Sequence, residues 1–523
     1  TYSTSQSTAS VTSAIVGFQN IMTLPISQLI AKQITPLFLG NFVESICQYI
    51  LLGLIFNYIG ISGLVEYCHT FFIMKFVEFI SDSTICYSAI FIQQKLLHEQ
   101  GQAARIMMAY TFILCFSVVI VINLCTGIFA TQISNIISSD EKPYFVTMLI
   151  GYPFLNLTYR MILNLERAEN KNFIESVVII TRSMSTILLY TIVTFVRAAN
   201  NMPQNLADLA YVQIVVEVYH LIIFIYNYFV NKQKGLRFDQ KLLSPFRIQL
   251  LFLMVKQMAV SLTHISTILT QLLSLVLAIY NSTEAEIQTE LITLLLYYAA
   301  QQMGNSVTQA IKNGVRSVVA LNLQMKRYER VYTFVLSGIG LLFLFNLLFN
   351  LAGFFCNYQF LQLIFKSGFE IYTKSNLGYL ESVFRFFYVM AILVADIMNY
   401  KQIYGIVELC NYVFILTKFV LGIFFPFNAY ELPFYAHLSV DIISIFCYLF
   451  LIKKFFKLRK TIIEDEVVIK SENSFPELEL MELQPMPAPK TIKDLSSDQS
   501  NQNIVKSGNK SNSEKVFSNE KVP

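Results

Sequence analysis

The chain of 523 residues is 55% hydrophobic and only 14% charged, with 45 Phe and a mean hydropathy of +0.54. Soluble globular domains carry about 25% charged residues, so this composition excludes an ordinary soluble domain and predicts a polytopic membrane protein. A net charge of +4 is too small to argue for nucleic acid, and the eight Cys, scattered without a C-x-x-C pair, read as small hydrophobes rather than as metal ligands or disulfides.

The sequence begins on Thr1 rather than Met, which we read as trimming or a fragment, and it shows no cleavable signal peptide. Residues 1–32 hold a short apolar piece, "VTSAIVGFQNIMTLPISQLI", interrupted by Pro25, and read as an amphipathic lead-in. A bilayer core needs about 20 apolar residues per helix. Spans of that kind fall at 34–58, 65–92, 106–130, 144–164, 173–196, 207–230, 248–280, 287–319, 331–355, 379–399, 403–427 and 431–452. With the N-terminus cytosolic, the inside loops collect the cations, Arg160, Arg167 and the run Lys232, Lys234, Arg237, Lys241 and Arg247 among them. The outside loops hold only Lys142, Arg197, Lys366 and Lys374, as the positive-inside rule requires. Both termini are then cytosolic, and the sequon Asn281-Ser282-Thr283 lies outside, where glycosylation is possible. The Ser-, Asn-, Lys- and Glu-rich end reads as a disordered tail.

The expected fold class is therefore an all-α polytopic membrane protein of about twelve transmembrane helices, in two six-helix lobes related by an internal repeat. The domain boundaries follow: residues 1–32 an N-terminal segment, 33–231 the first lobe, 232–247 the inter-lobe loop, 248–455 the second lobe and 456–523 the tail. The repeat shows in "AYTFILC" at 109–115 against "VYTFVLS" at 331–337, about half of the membrane region apart. At nearly the same offset "SDS" at 81–83 overlays "GNS" at 304–306.

Polar residues recur on these helices at helical spacing. On the eighth span Glu290, Thr293, Tyr297, Gln301, Gly304, Thr308 and Lys312 share one face. The seventh carries His264, Thr267, Gln271 and Ser274, the first Asn41, Glu44 and Gln48, the second Lys75, Glu78 and Asp82, and the sixth Gln213, Glu217 and His220. Polar groups against hydrocarbon are costly, so each stripe faces protein or water. Stripes in both halves predict a hydrated central cavity; a single Ser or Thr fits plain helix–helix hydrogen bonding better, whereas the carboxylates and histidines point to function. Glu381 with Arg385, and Lys75 with Glu78, are spaced to pair along a helix. Lys312 and Arg316 sit where their stems can snorkel.

Across about residues 30–455 the chain resembles the MATE (multidrug and toxic compound extrusion) family of the MOP flippase superfamily, twelve-helix antiporters with two six-helix lobes. The resemblance rests on Pro36 and "NYIG" at 57–60, on Gln94, and on "GNSVTQAIKNG", which is similar to the family's Gly-x-Ser-x-Ala-x-x-x-Arg-x-Gly block with Gly304, Ser306, Lys312 and Gly314 in place. It implies that this block ends a cavity-lining helix. It also places the seventh-helix cavity Glu of animal and plant members on Gln271, which cannot titrate. The eighth-helix Glu falls about one turn beyond Glu290, and the tenth-helix acid fits Asp396, although "NYKQ" replaces the Arg-Gly-x-Gly that follows it in the family. The first-helix Asp of bacterial members falls near Leu52, with Glu44 two turns earlier.

The function this implies is secondary antiport, exporting organic, cationic, xenobiotic-like compounds in exchange for protons or Na+. A desolvated carboxylate exchanges a proton near neutrality, and Asp396, then Glu290, are the acids expected to do so, with His264 standing in for the untitratable Gln271. Glu44, Asp82 and Tyr297 complete the expected site, the aromatic contacting flat or cationic compounds. The partners implied are a small organic substrate, the coupling ion and the lipid bilayer, for a monomer in a plasma, vacuolar or other endomembrane. No cofactor or metal is implied. The rivals are a flippase for lipid-linked oligosaccharides, whose diphosphate needs cations such as Lys256, Arg182 and Lys418, and a transport-inactive relative. An enzyme is not indicated, because the sequence has neither an H-E-x-x-H nor a G-x-S-x-G motif.

Overall fold

The computed structural model describes residues 24–97, 100–136, 142–231, 236, 238, 248–261, 266–281, 284–324, 327–365, 375–397, 412–413, 415–417, 420–421, 423–424 and 431–469. The described secondary structure is helical: α1 (Ile26–Gln33), α2 (Thr35–Tyr58), α3 (Ile61–Leu97), α4 (Gly101–Ile136), α5 (Lys142–Ile150), α6 (Tyr152–Ala168), α7 (Asn172–Ala199), α8 (Ala207–Ile225), α9 (Ile248–Ser261), α10 (Ser266–Asn281), α11 (Glu284–Gln324), α12 (Tyr328–Phe365), α13 (Leu377–Ile397) and α14 (Glu431–Ile469). They match the expected spans except at 403–427, most of which lies outside the described residues, as do residues 262–265, Ser282 and Thr283 of the sequon, and the tail from 470. Residues 1–458 form one compact unit; of the second, 459–523, the described part is the end of α14, whose helix runs on through the basic segment to Ile469.

Three local features depart from the simple spans. The fourth is broken, since Gly151 separates α5 from α6 and Pro153, which has no N–H to give, sits in the first turn of α6. Arg160, expected in a loop, lies in the interior of α6. Finally, α8 ends in one π-helical turn, Tyr226–Val230. The α6–α7 turn passes through Asn170 at φ 60, a left-handed conformation that Asn tolerates. Beside it Lys171 donates to Glu169. Burial works against the Lys171 ammonium, yet the Glu169 carboxylate outweighs it and holds the pKa above the ordinary lysine value.

Among the described residues, Ile26–Tyr58, Gly101–Phe129, Asn172–Ala199, Ala207–Val230, Gly340–Phe365 and Pro433–Lys454 are long and apolar enough to cross a bilayer. Helix α11 packs along α13, α2, α12 and α3, and α2 packs along α7, so the first-half and second-half helices meet on α2, α3 and α11.

Among the described residues the core holds two large apolar clusters, besides a small one of Tyr159, Leu163 and Ile179. One holds Leu37, Ile85, Phe224, Val307 and Phe386; the other holds Tyr49, Phe72, Val212, Ala300 and Tyr379. The helices α2, α3, α8, α11 and α13 contribute to both clusters. Between their two contributions lie Glu44 and Gln48, Lys75, Glu78 and Asp82, Gln213, Glu217 and His220, Gln301 and Gly304, and Glu381 and Arg385. On these five helices the polar residues thus fall between the two apolar clusters, as a belt. A belt at membrane depth holds together only if its groups satisfy one another.

Without a solvent drive between helices in lipid, close approach over small residues supplies packing. Gly378 lies where an added Cβ would stand 2.4 Å from the Tyr297 carbonyl oxygen and 2.7 Å from the Gln301 amide nitrogen. Both are backbone atoms of α11 and cannot swing away. Gly378→Ala is therefore expected to separate α11 from α13 and cost about 1–3 kcal/mol, read as a lower melting temperature of the purified protein in detergent. An unchanged melting temperature would show that the two helices have slack.

Candidate functional site

The first-half portion of the belt opens into a cavity. Its walls come from α2 (Glu44, Gln48), α3 (Tyr67, Phe71, Lys75, Glu78), α5 and α6 (Tyr144, Tyr152), α7 (Arg182, Thr186) and α8 (Gln213, Glu217), with Gln302 of α11 facing in from the second half. Four aromatic rings stand among a majority of charged and polar groups, a wetter wall than the mostly apolar lining usual for a small-molecule site.

The charges of this cavity form one connected network. Glu78 accepts from Lys75 Nζ at 3.0 Å, from Arg160 Nη2 at 3.0 Å, from Asn156 Nδ2 at 3.1 Å and from the Tyr152 hydroxyl at 3.4 Å. Arg160 reaches on to Asp82 at 3.2 Å. The Tyr152 hydroxyl also takes a hydrogen bond from Arg182 Nη2, joining the two sides of the site. Arg182 grips Glu217 Oε1 through Nε at 2.7 Å and Nη2 at 2.6 Å, and its guanidinium lies 4.2 Å from the centre of the Tyr159 ring. His220 Nδ1 binds the Val216 carbonyl at 2.8 Å and stands 3.7 Å from Glu217.

Like Asp82, which keeps 40% of its exposure on the Arg160 that Glu78 also holds, Glu44 is held loosely. Its carboxylate stands 3.8 Å from Arg182 Nη1, on a cation already committed to Glu217, and its side chain keeps 30% of its exposure where that of Glu217 keeps 1%. Four carboxylates, Glu44, Glu78, Asp82 and Glu217, face three cations, Lys75, Arg160 and Arg182, so this network holds one acid more than it has lysine and arginine partners. Two of the acids sit on shared cations, Asp82 on Arg160 and Glu44 on Arg182, and of these two Glu44 lines the cavity.

The second-half portion of the belt is close-packed. The Tyr297 hydroxyl donates to Glu381, Gln301 Nε2 donates to Glu381 at 2.6 Å, and His437 Nδ1 lies 2.8 Å from the same carboxylate. Thr308 donates to Asn346 at 3.2 Å, and Arg385 faces Asp441 at 3.6 Å. The α11 stripe thus lies against α12, α13 and α14 in a buried polar seam.

The expected site residues divide accordingly. Glu44 lines the cavity, Asp82 joins its network through Arg160, and Tyr297 belongs to the second-half seam. Glu290 is half-buried on α11, two turns before Tyr297. Gln271 lies on α10, its Oε1 buried without a hydrogen bond among the described residues. Asp396 sits in the last turn of α13 with its side chain outside the described residues, as are the side chain of Lys256 and all of His264 and Lys418. The expected Lys75–Glu78 pair is present at 3.0 Å. Sequence reading passed over Arg160 as a loop cation and His437 and Asp441 as part of an apolar span. For His437 and Asp441 the signal was one four-residue step in an apolar helix, weak beside the longer stripes.

Neither a sequence-family model nor any curated protein sequence matches the chain. Solved structures do. An outward-facing multidrug resistance MATE transporter of the MOP superfamily superposes with a TM-score of 0.68 at 14% identity, covering 84% of this chain and 98% of that one. MATE in complex with MaL6 gives 0.66 at 14% identity over 84% and 99%. A MOP superfamily transporter from Pyrococcus furiosus, described as having a binding pocket of reversed polarity that suggests a different function, gives 0.66 at 13% over 84% and 98%. The apolar helices and this likeness define an integral, multi-pass membrane protein. Its fold is that of the MATE transporters of the MOP superfamily.

Proposed function

We propose that the chain is a secondary antiporter that exports organic cations in exchange for protons, both competing for Glu44 in the first-half cavity. The observation that carries this reading is Glu44 itself, a carboxylate that lines the cavity on a cation another acid already holds, in a network where four acids meet three cations. A cationic substrate balances that charge; so does a proton. Binding one therefore releases the other, and alternating access turns the competition into exchange. Tyr67, Phe71, Tyr144 and Tyr152 offer ring faces to the organic part of the substrate. Asp396 and Glu290 remain the acids proposed to carry a proton in the second half.

The same count speaks against a diphosphate-lipid flippase. Arg160 and Arg182 bridge carboxylates at 3.2 Å or less, so a diphosphate would have to displace Glu78 or Glu217.

The test is equilibrium binding of ethidium, followed by its fluorescence, to the purified full chain between pH 5 and 8. Wild type is expected to bind ethidium in competition with protons, the two sharing one carboxylate. Glu44→Gln is expected to bind at least about tenfold more weakly, a loss of about 1.4 kcal/mol, with no dependence on pH. Wild-type affinity in Glu44→Gln would remove this residue from the mechanism.

A further inference from the structure

The polar wall of the first-half cavity is built in two levels. On one, Arg182 of α7 meets Glu44 of α2 and Glu217 of α8. The other lies one helical turn away, about 5.4 Å along the axis, and the course of the helices fixes what stands there. Leu37, early in α2, shares an apolar cluster with Phe224, late in α8, while Tyr49 and Val212 share the other cluster. The two helices are therefore antiparallel. Gln48, four residues after Glu44, and Gln213, four before Glu217, fall on the same side of Arg182. Thr186 joins them, four residues after Arg182 on a helix whose next turn, at Tyr190, also enters the Tyr49 cluster. All three line the cavity.

None of these three carries a charge, and their hydrogen bonding is incomplete. Among the described residues, Gln48 Nε2 is buried without an acceptor and Gln213 Oε1 is buried without a donor. The Thr186 hydroxyl donates to the Arg182 carbonyl at 3.0 Å and keeps its lone pairs to offer. A buried amide atom left unpaired is costly. One donor and one acceptor on the same level of one cavity suit a ligand group that both accepts and donates. A hydroxyl or an amide does so, and an alkyl group does neither. Turning either side-chain amide over swaps donor for acceptor, and a hydroxyl answers both arrangements.

We propose that Gln48 and Gln213 are specificity-determining residues, selecting organic cations that carry a hydroxyl or amide group about one helical turn from the charge. The proposal rests on the reading of Glu44 as the cation's partner and adds the substrate's polar arm to it. Binding such an arm gives both amides a partner. An alkyl arm leaves them stranded, and a site built to hydrogen-bond its ligand rejects the analogue that cannot.

Calorimetric titration of the purified full chain with two matched probes tests this. They are (3-hydroxypropyl)trimethylammonium and butyltrimethylammonium, the same cation with a methyl group in place of the hydroxyl. Wild type is expected to bind the hydroxyl cation at least about fivefold more tightly, the yield of one net hydrogen bond. Gln48→Leu and Gln213→Leu are each expected to narrow that preference, and the double variant to abolish it. Glu44→Gln is expected to weaken both cations and leave the preference in place. The wild-type comparison needs no variant, so a misfolded one cannot hide the result. Equal binding of the two cations by wild type, or an undiminished preference in both single variants, overturns the proposal and leaves Glu44 standing. Wild-type affinity for both cations in Glu44→Gln, or a wild-type chain that binds neither, removes the reading beneath the proposal and the proposal with it.

Discussion

Exchanging Arg182 for methionine is expected to cost the fold about 3–5 kcal/mol, the scale of breaking one partner out of a buried ion pair. The side chain keeps 14% of its exposure and its partner Glu217 only 1%. The guanidinium holds Glu217 with two nitrogens, donates to Tyr152 and covers the Tyr159 ring at 4.2 Å. Removing it leaves the Glu217 carboxylate with His220 as its remaining ionisable neighbour, 3.7 Å away. The loss lies in the stranded charge rather than in the strength of the bridge. Arg182→Met with Glu217→Leu is therefore expected to recover most of the melting temperature, because two apolar side chains often replace such a pair at little cost. If the double variant melts no higher than the single one, Arg182 holds the bundle through Tyr152 and Tyr159 instead.

Glu381→Ala is expected to destabilise by about 3–5 kcal/mol, in the range where a single substitution is diagnostic. Three buried donors converge on this carboxylate, from Tyr297, Gln301 and His437, and each orphaned donor costs about 1–3 kcal/mol. A cycle with Tyr297→Phe separates this from cavity formation. Once Glu381 is gone, the Tyr297 hydroxyl has lost its acceptor, so removing it should cost far less than in wild type, with a coupling of about 1–3 kcal/mol. Additive effects in melting experiments would mean that the contact is incidental.

The helices and the belt were legible because they rest on local chemistry. A span needs about 20 apolar residues, and a stripe such as Tyr297, Gln301, Gly304 and Thr308 declares its face through spacing alone. What each face meets was not legible. Lys75 and Glu78 read as an isolated pair; their tie to Asp82 runs through Arg160 of α6, a partner 82 residues from Glu78 in sequence. The stripes were expected to share one wet chamber. The cavity takes the α2, α3 and α8 stripes, while the α11 stripe is consumed by Asn346, Glu381 and His437. His437 and Asp441 were passed over because two polar residues in an apolar span carry little periodic signal. The Gly151–Pro153 break was a visible signal outweighed by the apolar run around it.

Exchange at Glu44 is the centre of this account, and counting protons against cations tests it most directly. Proteoliposomes holding the wild-type chain and a lumenal pH indicator would be loaded with tetraethylammonium and diluted into medium without it. Proton entry in exchange predicts a lumen that acidifies as the cation leaves, and Glu44→Gln predicts neither change. Cation efflux with lumenal pH unmoved, or equal exchange by Glu44→Gln, would contradict the account.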